Sequence, residues 1–511
     1  MTDAAGGIVD ARKRRSRLQR PHQAVSAAVP WRSWAGKRAF EFSIISFCCA
    51  TILPMQADSK PLDVAIIGGG IAGLIHLHYA RRAGLSARLL ERAPAVGGLW
   101  RELPAWQDIQ ICPADWTVGD LPIEGPMQAQ VLANIESWVS HFDLAPDIRL
   151  GCPVLRAQHD GQAWELNTAL GPLRARHLVA ATGAHNRPWL PAVARRDGSV
   201  AELHSSALHQ PAELNGARVL VVGGGASALD LLDQCLLQGA AHITWAYRSL
   251  RWFTPTSKPK AVAGSVRPLA RMQAQGVPVE EQNERVRADL VARYRRLGLE
   301  ALMPQKPLDL RTDQLFPGRC RMLAGLSQIE RHAAEVGALE GGQALLSDGS
   351  ARAVDLVLWG TGYRTDLSYF ANPTLAAVTG VNELAQRCAC VFRSLDEPDL
   401  YFPAVGLEGY GATSWNFAVM ARSVMSHIGG TARLDLEPLP YRLNHLEMVR
   451  HLARRDPVSF GGVDAEAWCR AVGLGTPDDQ PYPMPEVACA GALGATGGST
   501  GGSTGGATNS P

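Results

Sequence analysis

Apolar and polar positions along the chain fall into a pattern that occurs twice. From Asp63 the sequence DVAII gives a short β-branched apolar run, then a cluster of glycines, then apolar residues at helical spacing as far as Arg82, closed by Gly84. A further strand-like run, SARLLE, ends in Glu91. From Arg218 to Leu232 the plan returns as RVLVVGGGASALDLL, followed by HITWAYR, which ends in Arg248. Strand, tight turn, helix, strand predicts parallel pairing, because a right-handed crossover through a helix joins such strands. The expected fold class is α/β with two Rossmann-like units.

The turn residues carry chemistry. In the first unit Gly68, Gly69, Gly70, Ile71, Ala72 and Gly73 have the G-x-G-x-x-G spacing. The first glycine allows the tight turn, the second lets backbone approach a pyrophosphate, and the third lets the helix pack on the strand. Glu91 stands where a carboxylate accepts hydrogen bonds from ribose hydroxyls. The second unit has Gly223 and Gly225, then Ala226, Ser227 and, in the third place, the still small Ala228. Arg248, at the position corresponding to Glu91, suits the 2′-phosphate of NADP, with Arg251 able to assist; a solvated strand-end arginine is the alternative. One acidic and one basic unit imply two different dinucleotides, FAD and NADPH, whereas a simple nicotinamide dehydrogenase needs only one such unit.

The remainder sets boundaries. Residues 1–60 read as a leader, disordered or translated from too early a start, with Met55 as an alternative start. Arg12, Lys13, Arg14, Arg15 and Arg17 precede an uncharged stretch from Phe42 to Ala57, which falls short of the ~20 residues that span a bilayer. Residues 61–210 are expected to form the first part of the FAD domain, 211–324 the NADP domain with a helical insertion, and 325–431 the second part of the FAD domain. In EEQNERVRADLVARYRRLG, Val286, Leu290, Val291 and Tyr294 recur at helical spacing, so an amphipathic helix caps the NADP unit or offers a packing or dimer surface. Residues 432–486 read as a small helical C-terminal extension, and 487–511 as a flexible Gly/Ser/Thr tail.

Composition narrows the function classes. The 511 residues are 46% hydrophobic and 19% charged, the balance of a folded soluble chain. A net charge of +2 provides no basic field for nucleic acid. The ten cysteines include no CxxC, which argues against a disulfide framework, a zinc ribbon or a redox-active disulfide and suits the cytoplasm. No GxSxG stands between a strand-like and a helical run, where a nucleophile elbow would be, no HExxH is present, and no metal site is expected.

With these motifs in place, the chain from about Asp63 to about Ile428 resembles the flavin-containing monooxygenase family, within the two-dinucleotide-domain flavoproteins that include Baeyer–Villiger and N-hydroxylating monooxygenases. The resemblance rests on both glycine motifs, on Gly97, Gly98, Leu99 and Trp100, on Ala181, Thr182 and Gly183 before RPWLP, and on WGTGYRTD from Trp359 to Asp366. It implies that Gly98, Leu99, Trp100, Val154, Ala181–Gly183, Gly362 and Tyr363 join the glycine turns as cofactor contacts. It further implies an NADPH- and FAD-dependent enzyme that forms a C4a-hydroperoxyflavin. That species passes one oxygen atom from O₂ to a small nitrogen, sulfur or carbonyl substrate.

The chain departs from the family in two places. The identifying pattern F-x-G-x-x-x-H survives only as His204, with Gly198, Val200 and Leu208 in the places of its Phe, Gly and later aromatic residue. This leaves His204 open between the family role and a structural hydrogen bond. Gln110 falls where the family often has an Asn beside the flavin, and its amide offers the same donor, with a structural Gln as the alternative. An oxidase or reductase of the same fold, or a flavin-binding protein without turnover, are the competing readings.

Overall fold

The computed structural model of the chain describes residues 60–109, 121, 123–255, 277–310, 313, 315–389, 392–403 and 413–430. The expectations for the leader, Gln110, the C-terminal extension and the tail lie outside the described residues.

The first sheet is built on β1 (Leu62–Ile67), whose residues from Val64 onward are buried on both faces, as a central parallel strand requires. Helix α1 (Ile71–Arg82) carries the chain over to β2 (Ala87–Leu90), and β3 (Ile148–Arg149) lies beyond it. On the other side of β1 come β6 (Gly171–Ala180), β5 (Trp164–Thr168) and β4 (Val154–His159), in the order β3-β2-β1-β6-β5-β4. β1 is parallel to both β2 and β6, while β4, β5 and β6 form an antiparallel meander. Its core continues through helix Thr413–Ile428, whose Met420, Ala421, Val424 and Met425 are buried in the same cluster as Leu74 and Leu77 of α1.

From β6 the chain passes through β7 (Arg187–Pro188) and β8 (Ala194–Arg195) into β9 (Ala201–His204). β10 (Arg218–Val222), helix α4 (Ala226–Gln238) and β11 (His242–Ala246) repeat the arrangement of β1, α1 and β2; two further helices, the short α2 (Leu99–Glu102) and α3 (Gln128–His141), occur earlier in the chain. After a short parallel pair, β12 (Phe253–Thr254) and β13 (Phe316–Pro317), come β14 (Ile329–His332), the hairpin strands β15 (Val336–Glu340), β16 (Gln343–Leu346) and β17 (Ala351–Ala353), then β18 (Leu356–Trp359), β19 (Tyr363–Arg364) and β20 (Leu400–Tyr401). The second sheet is wholly parallel, in the order β14-β11-β10-β18-β9. One face packs on α4 and the helix Val279–Arg296; the other packs on the sheet formed by β8 and β15–β17.

The expected capping helix is present over Val279–Arg296, with Leu290 and Tyr294 buried and the Tyr294 hydroxyl donating to the Phe253 carbonyl at 3.0 Å. The boundary expected between residues 324 and 325 requires correction. β14 and β18, both past Gly325, and β9, before residue 211, belong to the second sheet rather than the first. The reason is partner demand: an apolar strand such as β10, buried on both faces, needs parallel neighbours on each side, and LVLW of β18 supplies one of them. Among the described residues after β18, the first sheet gains only β20, which pairs with β6. Among the described residues, no helix is long and apolar enough to cross a membrane.

Candidate functional site

Each sheet ends in a glycine turn at the N-terminus of its crossover helix. In the first, Gly68 has φ +109°, and a Cβ there would lie 2.4 Å from the Ala181 carbonyl oxygen. A Cβ on Gly73 would lie 1.9 Å from the Gly68 carbonyl oxygen, so this position is glycine for helix packing. Gly70 differs from both: its Cβ would meet only the Gly98 Cα, at 3.7 Å. Gly70 caps α1 without a side-chain hydrogen bond, so the first N–H groups of the helix face open ground, which is the arrangement that binds anions. Ile71, buried, and Ala72 form the first helical turn behind it.

Glu91 is buried beside this turn. One carboxylate oxygen accepts from the Gly69 N–H at 2.5 Å, the other from the Ala93 N–H at 2.7 Å. A carboxylate offers about four lone-pair sites, so two remain for ribose hydroxyls. The Cys152 N–H donates to the Glu91 carbonyl at 2.8 Å, which brings Val154, at the start of β4, close behind. Across the turn, the Gly97 N–H donates to the Gly69 carbonyl at 2.9 Å, and Gly98 caps α2, which begins with Leu99 and Trp100.

The second turn is a geometric copy of the first. Gly223 has φ +135°, and its Cβ would lie 2.3 Å from the Gly360 carbonyl oxygen. Ala228 is accommodated in the third place because its neighbour Gly360 has no side chain; a Cβ there would approach the Ala228 Cα to 2.9 Å. Gly225 caps α4 with no side-chain hydrogen bond, ahead of Ala226 and Ser227. The strands that flank the two turns, β6 and β18, run into Ala181–Thr182–Gly183 and Gly360–Thr361–Gly362, and Gly183 and Gly362 have φ +82° and +83°.

Strand register corrects one expected correspondence. The Gly68 N–H donates to the Leu90 carbonyl at 2.8 Å and the Gly223 N–H to the Ala246 carbonyl at 2.9 Å. Glu91 therefore corresponds to Tyr247, and Arg248 lies one residue further on. The offset arises because α4 has 13 residues where α1 has 12. Arg248 is 79% exposed, with Nη1 3.7 Å from Glu335.

The two crossovers between the units lie side by side. β7 pairs antiparallel with β19, Asn186 accepts from the Asp366 N–H at 2.8 Å, and the Thr365 hydroxyl donates to the Ala184 carbonyl at 3.1 Å. His204 fastens this ribbon. Its Nε2 is 2.9 Å from the Gly362 carbonyl, which can only accept, so Nε2 carries the proton and Nδ1 accepts from the Ser206 N–H at 3.2 Å. Burial holds the imidazole below its ordinary pKa, consistent with this neutral tautomer. The Tyr363 ring stands edge-on to His204 at 5.0 Å, and burial raises its phenol. These contacts favour the structural alternative for His204.

Sequence reasoning missed a polar contact between the units. The Asp230 carboxylate in α4 accepts from Arg319 Nε at 2.5 Å and from the Gln107 amide at 3.4 Å, and Trp106 Nε1 donates to the Leu208 carbonyl at 2.6 Å. The available signal was an aspartate within the apolar face ASALDLL.

Two linked Rossmann-type sheets with paired glycine turns define a two-dinucleotide-domain protein. The family described as Pyridine nucleotide-disulphide oxidoreductase matches residues 65–295. A Baeyer-Villiger monooxygenase of Streptomyces coelicolor is 30% identical over 219 residues, covering 41% of this chain and 42% of the relative. Phenazine N-monooxygenase PhzNO1 of Lysobacter antibioticus is 29% identical over 214 residues, covering 39% of each. The chain thus spans about two-fifths of the length of these curated relatives. Among solved structures, a flavin-containing monooxygenase from Stenotrophomonas maltophilia aligns with TM-score 0.51 at 20% identity, over 73% of this chain and 99% of that one. An oxidized steroid monooxygenase bound to NADP aligns with TM-score 0.56 at 20% identity, over 78% of this chain and 91% of that one. The chain is thus similar to flavin monooxygenases over about two-fifths of its length, and it shares the two-dinucleotide-domain fold of the solved ones.

Proposed function

We propose that this chain is an FAD- and NADPH-dependent monooxygenase that transfers one oxygen atom from O₂ to a small nitrogen, sulfur or carbonyl substrate. The observation that carries this reading is the duplication of the glycine turn, with a carboxylate, Glu91, beside the first and arginines beside the second. The first turn fits a flavin dinucleotide: Gly70 leaves open ground at the N-terminus of α1, and a side chain there would fill it. FAD, when bound, supplies hydride acceptance and the activation of O₂.

The chain's own residues do the rest. The N–H groups at the start of α1 hold the pyrophosphate, and Glu91 accepts from ribose hydroxyls through the lone pairs that Gly69 and Ala93 leave free. Gly98, Leu99, Trp100, Val154 and Ala181–Gly183 surround the same dinucleotide. Gly223, Gly225 and Ala226–Ala228 hold the pyrophosphate of NADPH, Arg248 pairs with its 2′-phosphate, and Gly362 and Tyr363 stand at the crossover between the units. Gln110 contributes an amide donor near the flavin. No side-chain nucleophile is needed, since the protein orients two cofactors and excludes water.

The test is purification with FAD, followed by NADPH consumption under isotopically labelled O₂ across a panel of amines, sulfides and ketones. Label in an organic product supports the reading. NADPH consumption that yields only peroxide would replace it with the oxidase reading, and no NADPH consumption would leave a flavin-binding protein.

A further inference from the structure

The segments that dock on the two glycine turns are alike in backbone and opposite in side chain. In the first unit the Gly97 N–H donates to the Gly69 carbonyl at 2.9 Å, and the space in front of Gly70 is faced by the bare Cα of Gly98. In the second the Arg251 N–H donates to the corresponding carbonyl, that of Gly224, at 3.1 Å. The space in front of Gly225 is faced by the Arg251 side chain, whose Cδ lies 3.9 Å from where a Gly225 Cβ would be. The docking is tight, since the Ser249 carbonyl oxygen would lie 2.0 Å from a Cβ on Gly224. Arg251 is exposed, and no described carboxylate pairs with it, whereas Arg248 lies beside Glu335.

We infer that Arg251 is the pyrophosphate clamp of the second turn, contacting the bridging phosphates of the nicotinamide dinucleotide rather than its 2′-phosphate. The inference rests on the reading that this turn takes such a dinucleotide. The second glycine of the motif is where a pyrophosphate crosses the helix N-terminus, and Arg251, held by its backbone to the adjoining Gly224, has its side chain beside that glycine. Its guanidinium offers a planar fork suited to phosphate oxygens, in addition to the helix N–H groups. The division of labour follows: Arg251 serves any nicotinamide dinucleotide, and Arg248 selects the phosphorylated one.

Binding to the purified protein by calorimetry, with NADPH, NADH, ADP-ribose and 2′-AMP, separates the two roles. Arg251→Ala should weaken NADPH, NADH and ADP-ribose alike, by roughly ten- to a hundredfold, and leave 2′-AMP unchanged. Arg248→Ala should weaken NADPH and 2′-AMP and spare NADH and ADP-ribose. Arg251→Lys should recover part of the loss. If Arg251→Ala weakens only NADPH and 2′-AMP, or changes nothing while circular dichroism shows a folded protein, the clamp assignment is wrong. If the unsubstituted protein binds none of the four probes, the nicotinamide reading of the second turn fails instead.

Discussion

The Arg319 guanidinium and the Asp230 carboxylate meet at 2.5 Å with side chains only 2% and 6% exposed, so the pair lies almost wholly out of water. Taking either charge from water is costly, and removing one partner leaves the other buried without its counter-charge. Arg319→Met and Asp230→Ala should each lower unfolding stability by about 3–5 kcal/mol, read by urea denaturation. The double replacement Asp230→Leu/Arg319→Met should fall closer to the original protein than either single change. Equal losses in all three variants would mean that packing, not charge, dominates this contact.

Gly70 and Gly73 should respond differently to the same chemistry. A Cβ on Gly73 meets the Gly68 carbonyl oxygen at 1.9 Å, so Gly73→Val should fail to give folded protein. At Gly70 the backbone has φ −80°, ordinary for any residue, and the nearest atom to a Cβ is the Gly98 Cα at 3.7 Å. Gly70→Val should therefore fold, with an unchanged far-ultraviolet spectrum, and purify without the yellow colour of bound flavin. A yellow Gly70→Val protein would move the pyrophosphate away from this turn.

What was legible in the sequence was local. The β-branched run of β1, the glycine turns and the helix marked by Val286, Leu290, Val291 and Tyr294 depend on residues within a few turns of one another, and periodicity and turn chemistry report on such segments. Strand partnership is not local: nothing within Leu356–Trp359 tells which sheet needs it, and it joins β10. Register at Arg248 depended on one extra helical residue that spacing arithmetic absorbed unnoticed. Asp230 and Arg319 are 89 residues apart, and only the folded chain brings them together.

Acid should destabilise the protein partly through His76. This ring is fully buried in α1, its Nδ1 is 2.7 Å from the Ala72 carbonyl, and burial lowers its pKa to about 4. Between pH 6.5 and 4 the unfolded chain binds a proton that the folded chain refuses, so stability falls as pH falls through this window. The loss from one such group is on the order of 3 kcal/mol. His76→Leu should flatten the pH dependence of denaturation midpoints between pH 6.5 and 4, whatever it does to stability at pH 8. An unchanged slope would show that His76 does not titrate in this range.

His204 joins the end of β9 to the return crossover, and its removal should loosen that junction before it loosens the sheets. The ring has three polar contacts: Nε2 donates to the Gly362 carbonyl at 2.9 Å, and Nδ1 accepts from the Ser206 N–H at 3.2 Å and lies 2.9 Å from the Ser206 hydroxyl. His204→Leu keeps an apolar volume, leaves the Ser206 N–H without its acceptor at a cost of about 1–3 kcal/mol, and takes from the Gly362 carbonyl one of its two donors, the other being the Trp189 N–H at 3.0 Å. Because Gly362 lies in the crossover that pairs with Arg187–Pro188, the loss should appear as faster amide hydrogen exchange over residues 360–366 and 184–189. The amides of β1 and β10, in the centres of the two sheets, should keep their protection. His204→Gln, which keeps a donor for the Gly362 carbonyl, should restore part of the protection. Acid should not mimic the Leu variant: the protonated ring keeps its Nε2–H on the Gly362 carbonyl and gives its new Nδ1–H to the Ser206 hydroxyl, so only the Ser206 N–H loses its acceptor and exchange over residues 360–366 should stay slow. A uniform rise across both sheets would assign His204 to global stability instead of to the crossover.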